Sequence, residues 1–224
     1  MDRVPEQELM NELEQVLAYA EADFEVAHQS VIDNFAQIFP DFLSDTRPQQ
    51  NVLDLGCGSG DVTVRFAHRF PVWHIDAVDG AQEMLKQAAE LIENNAISER
   101  ITLHHQQLAN FTIEPKNYDA IISNSLLHHL HDPMQLWSII KQFTTFNTAI
   151  YVCDLFRPET ITEADALVEQ YANNEPEILQ KDFYNSLLAA FTPDEVRAQI
   201  VKAELDSMNI DIVSDRHMLI YGYL

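Results

Sequence analysis

The sequence predicts an α/β fold in which helices cover both faces of a mostly parallel sheet. Short apolar runs alternate with segments of helical periodicity from about residue 50 to residue 155. One run ends in a turn of three glycines, Gly56, Gly58 and Gly60, that leads directly into a helical pattern. The 224 residues are 46% apolar and 22% charged, which suits one domain, 1–224, with a three-layer core.

The elements follow one another in a simple order. Two segments of helical spacing come first and predict an N-terminal helical cover over about residues 1–45. The predicted strands are 51–55, 74–79, 101–107, 118–124, 148–154, 210–213 and 217–223. Helices separate the first five strands, and a helical insertion over residues 158–190 precedes the last two.

Capping residues mark where the helices are expected to begin. Ser59 is placed to cap the helix behind the glycine turn, and Asp132 precedes a proline at the start of another helix. Thr162 is expected to open a helix of the insertion. Thr192 and Glu195 have the spacing of a capping box, which predicts the start of the following helix.

The glycine turn is the strongest functional signal in the chain. Glycine lets a ligand approach the backbone closely, and the helix N-terminus behind it favours a carboxylate or phosphate. The spacing is G-x-G-x-G, and Asp61 stands where the dinucleotide fingerprint has its third glycine, which disfavours a nicotinamide or flavin cofactor. Asp79, 25 residues after Asp54, ends the second strand, where an acid can accept hydrogen bonds from ribose hydroxyls.

The segment from Asp54 to Gly60, together with Asp79, resembles motif I and the following acidic motif of class I S-adenosylmethionine-dependent methyltransferases. The motifs cover about residues 50–155, and the order of elements extends the likeness over the remainder. The resemblance implies a Rossmann-like three-layer sandwich with a seven-stranded sheet whose last strand is antiparallel. It also implies a methyltransferase whose cofactor is S-adenosyl-L-methionine.

The resemblance further implies which residues bind that cofactor. The set is Asp54, Gly56, Cys57, Gly58, Asp79, Gly80, Met84, Gln107, Leu108 and Asn124. Asp54 would hold the methionine ammonium and Asp79 the ribose, while Gly80 and Met84 would flank the adenine. Met84 also fits the apolar stripe of a helix. Gln107 stands where the family often has an acid, and its amide oxygen can still accept a hydrogen bond from the adenine amino group.

Five residues are candidates for the acceptor side of the site: His128, Asp154, Arg157, Tyr184 and His217. His128 belongs to a His-His-Leu-His-Asp-Pro stretch that resembles small-molecule methyltransferases, including ubiquinone- and menaquinone-type C-methyltransferases. An imidazole there can act as a general base, and a structural histidine is the alternative. The stretch lacks the i,i+4 spacing of helical metal ligands, so no metal is expected.

Other segments leave two interpretations open. Arg157 and Arg216 indicate a carboxylate or phosphate on the acceptor, because arginine matches such groups bidentately. The insertion, with Tyr184, suits either a lid over a small polar substrate or a helical hairpin packed through its own apolar residues. Tyr19 and His28 are candidates for covering the cofactor, although His28 also fits a buried structural histidine.

Composition narrows the class of function. The chain has 13 basic and 36 acidic residues, a net charge of −23 and no basic run. Nucleic-acid binding needs basic residues that neutralise phosphates, so a small-molecule acceptor is expected and nucleic acid is not. No apolar run reaches the roughly 18 residues of a membrane span, and the N-terminus lacks a signal-peptide pattern. With only two cysteines, a cytoplasmic protein without a membrane partner is expected; its oligomeric state stays open.

The leading hypothesis is therefore methyl transfer from S-adenosylmethionine to a small molecule. A nucleotide-dependent oxidoreductase is the second possibility, and the glycine spacing weighs against it. A non-catalytic protein that binds S-adenosylmethionine or scaffolds a partner is the third. Polar residues at the ends of several predicted strands weigh against that function, because a scaffold has no need of them.

Overall fold

The structure is a computed structural model that describes residues 1–6, 9–10, 12–43, 50–114 and 116–224. The strands are β1 (Gln50–Leu55), β2 (Trp73–Asp79), β3 (Ile101–His105), β4 (Ala120–Asn124), β5 (Ala149–Leu155), β6 (Asn209–Ile212) and β7 (His217–Tyr223). The helices are α1 (Leu13–Glu21), α2 (Glu25–Ile38), α3 (Asp61–Arg69), α4 (Gln82–Asn94), α5 (Met134–Phe143), α6 (Ile161–Ala172), α7 (Glu177–Ala189) and α8 (Pro193–Lys202). Positions 7, 8, 11, 44 and 45 of the predicted N-terminal cover lie outside the described residues.

The described strands form one seven-stranded sheet in the order β3-β2-β1-β4-β5-β7-β6. The first five strands along the chain pair in parallel, and β7 runs antiparallel to both of its neighbours, β5 and β6. The order reverses between β1 and β4, and ligands of such sheets bind beyond the carboxyl ends of the strands at this switch point. The predicted fold class, including the antiparallel last strand, is confirmed.

Two apolar cores lie on opposite faces of the sheet. On one face, Phe35 of α2 and Phe66 of α3 make an edge-on contact with ring centroids 4.9 Å apart, and Trp73 packs edge-on against Phe66 at 5.2 Å. On the other face, Trp137 of α5 is fully buried, and its indole N–H donates to Gln199 of α8 at 2.9 Å. Helices therefore cover both faces, as a mostly parallel sheet requires.

Two helices begin at residues other than those expected. Ser59 does not cap α3, because the N-cap is Gly60, which adopts a left-handed conformation and has no side chain to contribute a hydrogen bond. Thr160, rather than Thr162, caps α6, and Thr160 and Glu163 form a complete capping box. For α6 the pattern indicated the correct kind of cap, which lies two residues earlier than predicted. For α3 the cap lies one residue later than predicted and has no side chain.

Other local predictions agree with the structure more closely. Thr192 and Glu195 form the expected capping box at the start of α8. The N-cap of α5 is Pro133, one residue after the predicted cap Asp132, but Asp132 accepts a hydrogen bond from the backbone N–H of Met134, the first residue of α5, at 3.1 Å. Strand β3 ends two residues earlier than predicted, where the side-chain amide of Gln106 exchanges two hydrogen bonds with the backbone of Thr112.

The insertion after β5 contains α6 and α7, which pack against each other. Leu167 and Leu187 are buried between them together with Leu155, and Phe183 and Tyr184 pack against this cluster. The apolar packing expected of a helical hairpin is therefore present. None of the helices in the described part of the chain combines the length and the apolar character that crossing a bilayer requires.

Candidate active site

The glycine turn brings backbone from β1 to the carboxyl edge of β2. The N–H groups of Gly56 and Cys57 both donate to the carbonyl of Val78, at 2.8 and 3.0 Å. Gly56 and Gly58 have φ angles of +77° and +54°, which side chains rarely adopt. A Cβ on Gly56 would lie 2.8 Å from Leu126, whereas a Cβ on Gly58 would have no heavy atom within 4 Å. Gly58 is therefore the point where a ligand has room against the backbone.

The side chain of Asp79, the last residue of β2, is hydrogen-bonded to the backbone of this turn. One carboxylate oxygen accepts from the N–H of Gly58 at 2.8 Å, and the other accepts from the N–H of Ala81 at 2.7 Å. Burial raises the pKa of Asp79, although both backbone N–H groups oppose that shift. A carboxylate has about four acceptor positions, so about two remain for hydroxyl donors of a ligand.

Asp54 lies beneath the turn in apolar surroundings. It is 2% exposed and accepts a hydrogen bond from the Thr63 hydroxyl at 2.6 Å. Burial raises the pKa of Asp54 to about 7, and the Asp79 carboxylate adds to the shift. Asp54 and Asn124 line the same small cavity, so a cation brought there would favour the ionised form of Asp54.

The residues expected around adenine lie beneath the N-terminal segment. A Cβ on Gly80 would lie 2.8 Å from Leu9 and 3.2 Å from the Gln107 side chain, so Leu9 covers this edge. Met84 is 3% exposed and packs in a small core with Val16 of α1. The core interpretation of Met84 is therefore the one that the packing supports. Cys57 is buried, which raises the pKa of its thiol well above the usual value.

Tyr19 and His28, which belong to the N-terminal helices, lie near Asp61 of α3. Burial raises the pKa of Tyr19 to about 12, with further contributions from Asp61 and Asp79. His28 is buried and its Nδ1 lies 2.6 Å from Asp61, which identifies His28 as a hydrogen-bonded structural histidine. The ring of Phe24 packs between those of Tyr19 and His28. The N-terminal helices thus cover the side of the cleft where Asp79 lies.

A second polar cluster consists of Glu6, His128, His129 and Asp154. Asp154 is 1% exposed, and one of its oxygens lies 2.6 Å from Nδ1 of His128. On the opposite side of the imidazole, Nε2 lies 3.8 Å from Glu6 Oε1. The same Glu6 oxygen lies 3.2 Å from Nδ1 of His129 and accepts a hydrogen bond from Ser186 at 3.0 Å.

Hydrogen bonds determine the tautomer of His128. Asp154 accepts from the backbone N–H groups of Leu127 and Leu155, at 2.6 and 2.7 Å, so it acts as an acceptor in each of these contacts. The proton of the neutral imidazole therefore lies on Nδ1, and the lone pair of Nε2 points toward Glu6. Burial opposes protonation of His128, but Asp154 and Glu6 raise its pKa overall, while burial raises the pKa of Glu6.

A cavity of about 220 Å³ adjoins this cluster. It lies between the N-terminal segment and α7, and its lining includes Glu6, Asn185 and Leu188. Arg3 holds the segment in place, because its guanidinium donates to the carbonyls of Ala189, His128 and Leu130. The N-terminal segment on one side of this cavity is therefore held by hydrogen bonds from Arg3 to backbone carbonyls, and α7 forms the other side.

The structure corrects the expectation that Arg157 binds an acidic group of the acceptor. Arg157 is 6% exposed, and its guanidinium donates to the carbonyls of Met1 and Ala190 and to the carboxylate of Glu195, at 3.1, 2.8 and 2.7 Å. These internal partners use all three nitrogens. Arg157 therefore links the end of β5 by hydrogen bonds to the N-terminal segment and to α8.

The remaining candidates lie at different distances from the cleft. Arg216 stacks over the ring of Tyr171 at 3.3 Å and pairs with Asp215 at 2.9 Å. Its guanidinium therefore has partners other than the residues that line the cavity. Tyr184 packs in the hairpin of α6 and α7. Nδ1 of His217 lies 3.0 Å from the Ser214 hydroxyl, and burial together with Arg216 lowers its pKa to about 4.

Sequence reasoning missed Glu6, Arg3 and Ser186. Glu6 lies 122 positions from His128 in the chain, and Ser186 lies 180 positions from Glu6. No local pattern joins such distant residues. A polar residue in an otherwise unremarkable N-terminal segment was the only available signal.

Comparison with known proteins agrees with this geometry. Residues 52–146 match a family described as a methyltransferase domain. The expected resemblance is thereby confirmed for residues 52–146, which are similar to a methyltransferase domain.

Similar curated proteins share only part of their length with this chain. The malonyl-acyl-carrier-protein O-methyltransferase of Bacillus cereus is 31% identical over 141 residues, which are 60% of this chain and 49% of that enzyme. A tRNA1(Val) (adenine(37)-N6)-methyltransferase of Yersinia pestis is 38% identical over 77 residues, 34% of this chain and 31% of that one. The chain spans about half the length, or less, of these relatives.

Solved structures resemble the whole fold. An S-adenosylmethionine-dependent methyltransferase from Aquifex aeolicus superposes with a TM-score of 0.65 at 12% identity, over 96% of this chain and 99% of that one. The plantazolicin methyltransferase BpumL, solved with S-adenosylhomocysteine, superposes with a TM-score of 0.63 at 14% identity, over 94% of each chain. At such low identity these likenesses show the fold alone.

Proposed function

We propose that this protein transfers the methyl group of S-adenosyl-L-methionine to a small-molecule acceptor. The observation that carries the proposal is the Asp79 carboxylate tied to the N–H of Gly58, with open space beside Gly58 at the switch point of the sheet. The bound cofactor supplies an activated methyl group. The protein then has to align the acceptor, exclude water and, for some acceptors, receive a proton.

The cofactor residues proposed from the sequence fit this geometry. Asp79 has acceptor positions left for ribose hydroxyls, and the carboxyl of Asp54 can pair with the methionine ammonium. The backbone carbonyl of Asn124 is a second partner for that ammonium. The rest of the proposed set comes from the glycine turn (Gly56, Cys57 and Gly58), from the segment after β2 and the start of α4 (Gly80 and Met84), and from the residues after β3 (Gln107 and Leu108).

We place the acceptor in the cavity between the N-terminal segment and α7. Glu6 and Asn185 are the polar residues that line this cavity. His128 adjoins Glu6, and Asp154 fixes its imidazole with Nε2 toward Glu6. His217 and Tyr184 stay predicted acceptor-side residues. On this proposal residues 1–45 are a cover and residues 158–190 a lid on a single domain, 1–224.

The net charge of −23 supports a small acceptor, because it would repel the phosphates of a nucleic acid. Two relatives have names that indicate larger acceptors, a tRNA methyltransferase and the ribosomal protein uL3 glutamine methyltransferase of Neisseria gonorrhoeae. The latter is 42% identical over 74 residues, 33% of this chain and 24% of that enzyme. A cytoplasmic role in small-molecule metabolism stays a prediction.

The test is transfer of a labelled methyl group from S-adenosylmethionine into three separate fractions of a bacterial lysate: small molecules, total RNA and protein. The proposal expects the label in the small-molecule fraction. Label in RNA or protein alone would refute the acceptor class while leaving methyl transfer intact. Tight binding of S-adenosylhomocysteine without transfer to any fraction would favour the non-catalytic alternative.

A further inference from the structure

We propose that Glu6, His128 and His129 form a binding site for a divalent metal ion, zinc by the chemistry of the ligands. The two histidines belong to the single turn Leu127–His129 after β4, and their rings stack with centroids 4.2 Å apart. Glu6 reaches them from the N-terminal segment. The sequence predicted no metal because its histidines lack the helical spacing of metal ligands, whereas the third ligand, Glu6, is distant in the chain.

The distances between the ligand atoms suit a small cation. Zinc binds imidazole nitrogen and carboxylate oxygen at about 2.0–2.2 Å in tetrahedral geometry, which places ligand atoms roughly 3.3 Å apart. Glu6 Oε1 lies 3.2 Å from Nδ1 of His129 and 3.8 Å from Nε2 of His128, and the three groups lie within 4.8 Å of one another. Small side-chain rotations would bring all three to coordination distance.

The surroundings of His128 resemble those of a metal-bound histidine. Such histidines almost always donate the N–H of the other ring nitrogen to a carboxylate or carbonyl, which fixes the ring and raises its basicity. His128 donates Nδ1–H to Asp154 at 2.6 Å, so its Nε2 lone pair is directed at Glu6. Asp154 is itself fixed by the backbone N–H groups of Leu127 and Leu155.

Three protein ligands leave one tetrahedral position open, as in catalytic zinc sites. The cavity lined by Glu6, Asn185 and Leu188 gives access to that position. An oxygen or nitrogen of the acceptor could bind the metal there and be oriented for methylation. That role depends on the proposed function, whereas binding of the metal does not.

The experiment is a zinc titration of chelator-treated protein in competition with a chromogenic chelator. Wild type is expected to bind one zinc ion per chain. Glu6→Gln and His129→Ala are each expected to weaken binding by at least about tenfold. The matched control is His68→Ala, which removes an exposed histidine of α3 far from the cluster and should leave the affinity unchanged. Cobalt substitution gives a second readout, since its visible absorption should be lost in His129→Ala.

Absence of stoichiometric zinc binding in wild type would overturn the proposal. Equal affinity in wild type and both cluster variants would do the same, because the metal would then bind elsewhere. Thermal unfolding of each metal-free variant establishes that it is folded, and two different variants guard against loss of one. Binding of S-adenosylhomocysteine is measured separately, so failure of the methyltransferase proposal is distinguishable from failure of the metal site.

Discussion

Replacing Asp54 by asparagine is expected to remove a pH-dependent contribution from the free energy of unfolding. Asp54 is buried, and its pKa rises from 3.8 to about 7 on folding. Folding therefore favours the protonated acid. Asp54 therefore does not lower the free energy of unfolding below about pH 4, where it is protonated in both states. As the pH rises through about 7, the folded protein has to ionise this buried acid, and the free energy of unfolding falls. Asparagine keeps an oxygen that can accept from Thr63 and carries no charge at any pH.

The size of the effect follows from the shift in pKa. A shift of about three units corresponds to about 4 kcal/mol once Asp54 is ionised in both states, at 1.36 kcal/mol for each unit. Much of this decrease in the free energy of unfolding occurs between about pH 5 and pH 8, where denaturation can be measured. Integrating the linkage between about pH 5 and pH 8 gives about 2–3 kcal/mol by which wild type should weaken relative to Asp54→Asn.

Urea denaturation of both proteins at several pH values measures this difference directly. Asp165→Asn is the matched control, because it neutralises an exposed carboxyl on α6 and should parallel wild type at every pH. A stability difference between wild type and Asp54→Asn that stays constant within about 0.5 kcal/mol from about pH 5 to 8 would refute the assignment of the raised pKa to Asp54.

Three further predictions concern the cleft. Binding of S-adenosylhomocysteine near pH 6 should release about 0.9 proton from wild type, because the ligand ammonium would ionise Asp54, and none from Asp54→Asn. Calorimetry in buffers of different ionisation enthalpy measures this release. Equal release from both proteins would contradict pairing of the ligand ammonium with Asp54. Gly56→Ala should mainly lower the free energy of unfolding, because its Cβ would clash with Leu126, whereas Gly58→Ala should mainly weaken cofactor binding, because its Cβ would enter open space beside the turn. The reverse pattern would show that the cofactor does not bind beside Gly58. Arg157→Ala should lower the free energy of unfolding by about 2–4 kcal/mol, because it leaves buried acceptors unpaired. A variant of unchanged stability that binds the cofactor more weakly would contradict this structural role.

The parts of the fold that the sequence predicted are those encoded by neighbouring residues. Apolar runs that end in turn residues identified the strands, and Asp79 was singled out because an acid at the end of a buried strand is itself a local pattern. The capping box of Thr192 and Glu195 spans only three positions and was correct. Ser59 was wrong as a cap because the geometry of the turn required a left-handed residue at the next position.

The polar contacts of the site were harder to predict, because they join distant segments. Arginine suits anionic ligands, so Arg157 was expected to face the acceptor. Its guanidinium instead meets Ala190 and Glu195, which lie 33 and 38 positions further along the chain. His128 was equally ambiguous, since its tautomer depends on Asp154, 26 positions away. Residue type limits what a side chain can bind, and only the fold determines which partner it meets.

The most direct test of the central claim is calorimetric titration of S-adenosylhomocysteine into wild type, Asp79→Ala and the exposed control Asp165→Ala. The account predicts binding on the order of micromolar, about −8 kcal/mol, for wild type and the control, and loss of binding in folded Asp79→Ala. No binding by wild type, or equal affinity in wild type and Asp79→Ala, would contradict a cofactor site built on the glycine turn and Asp79.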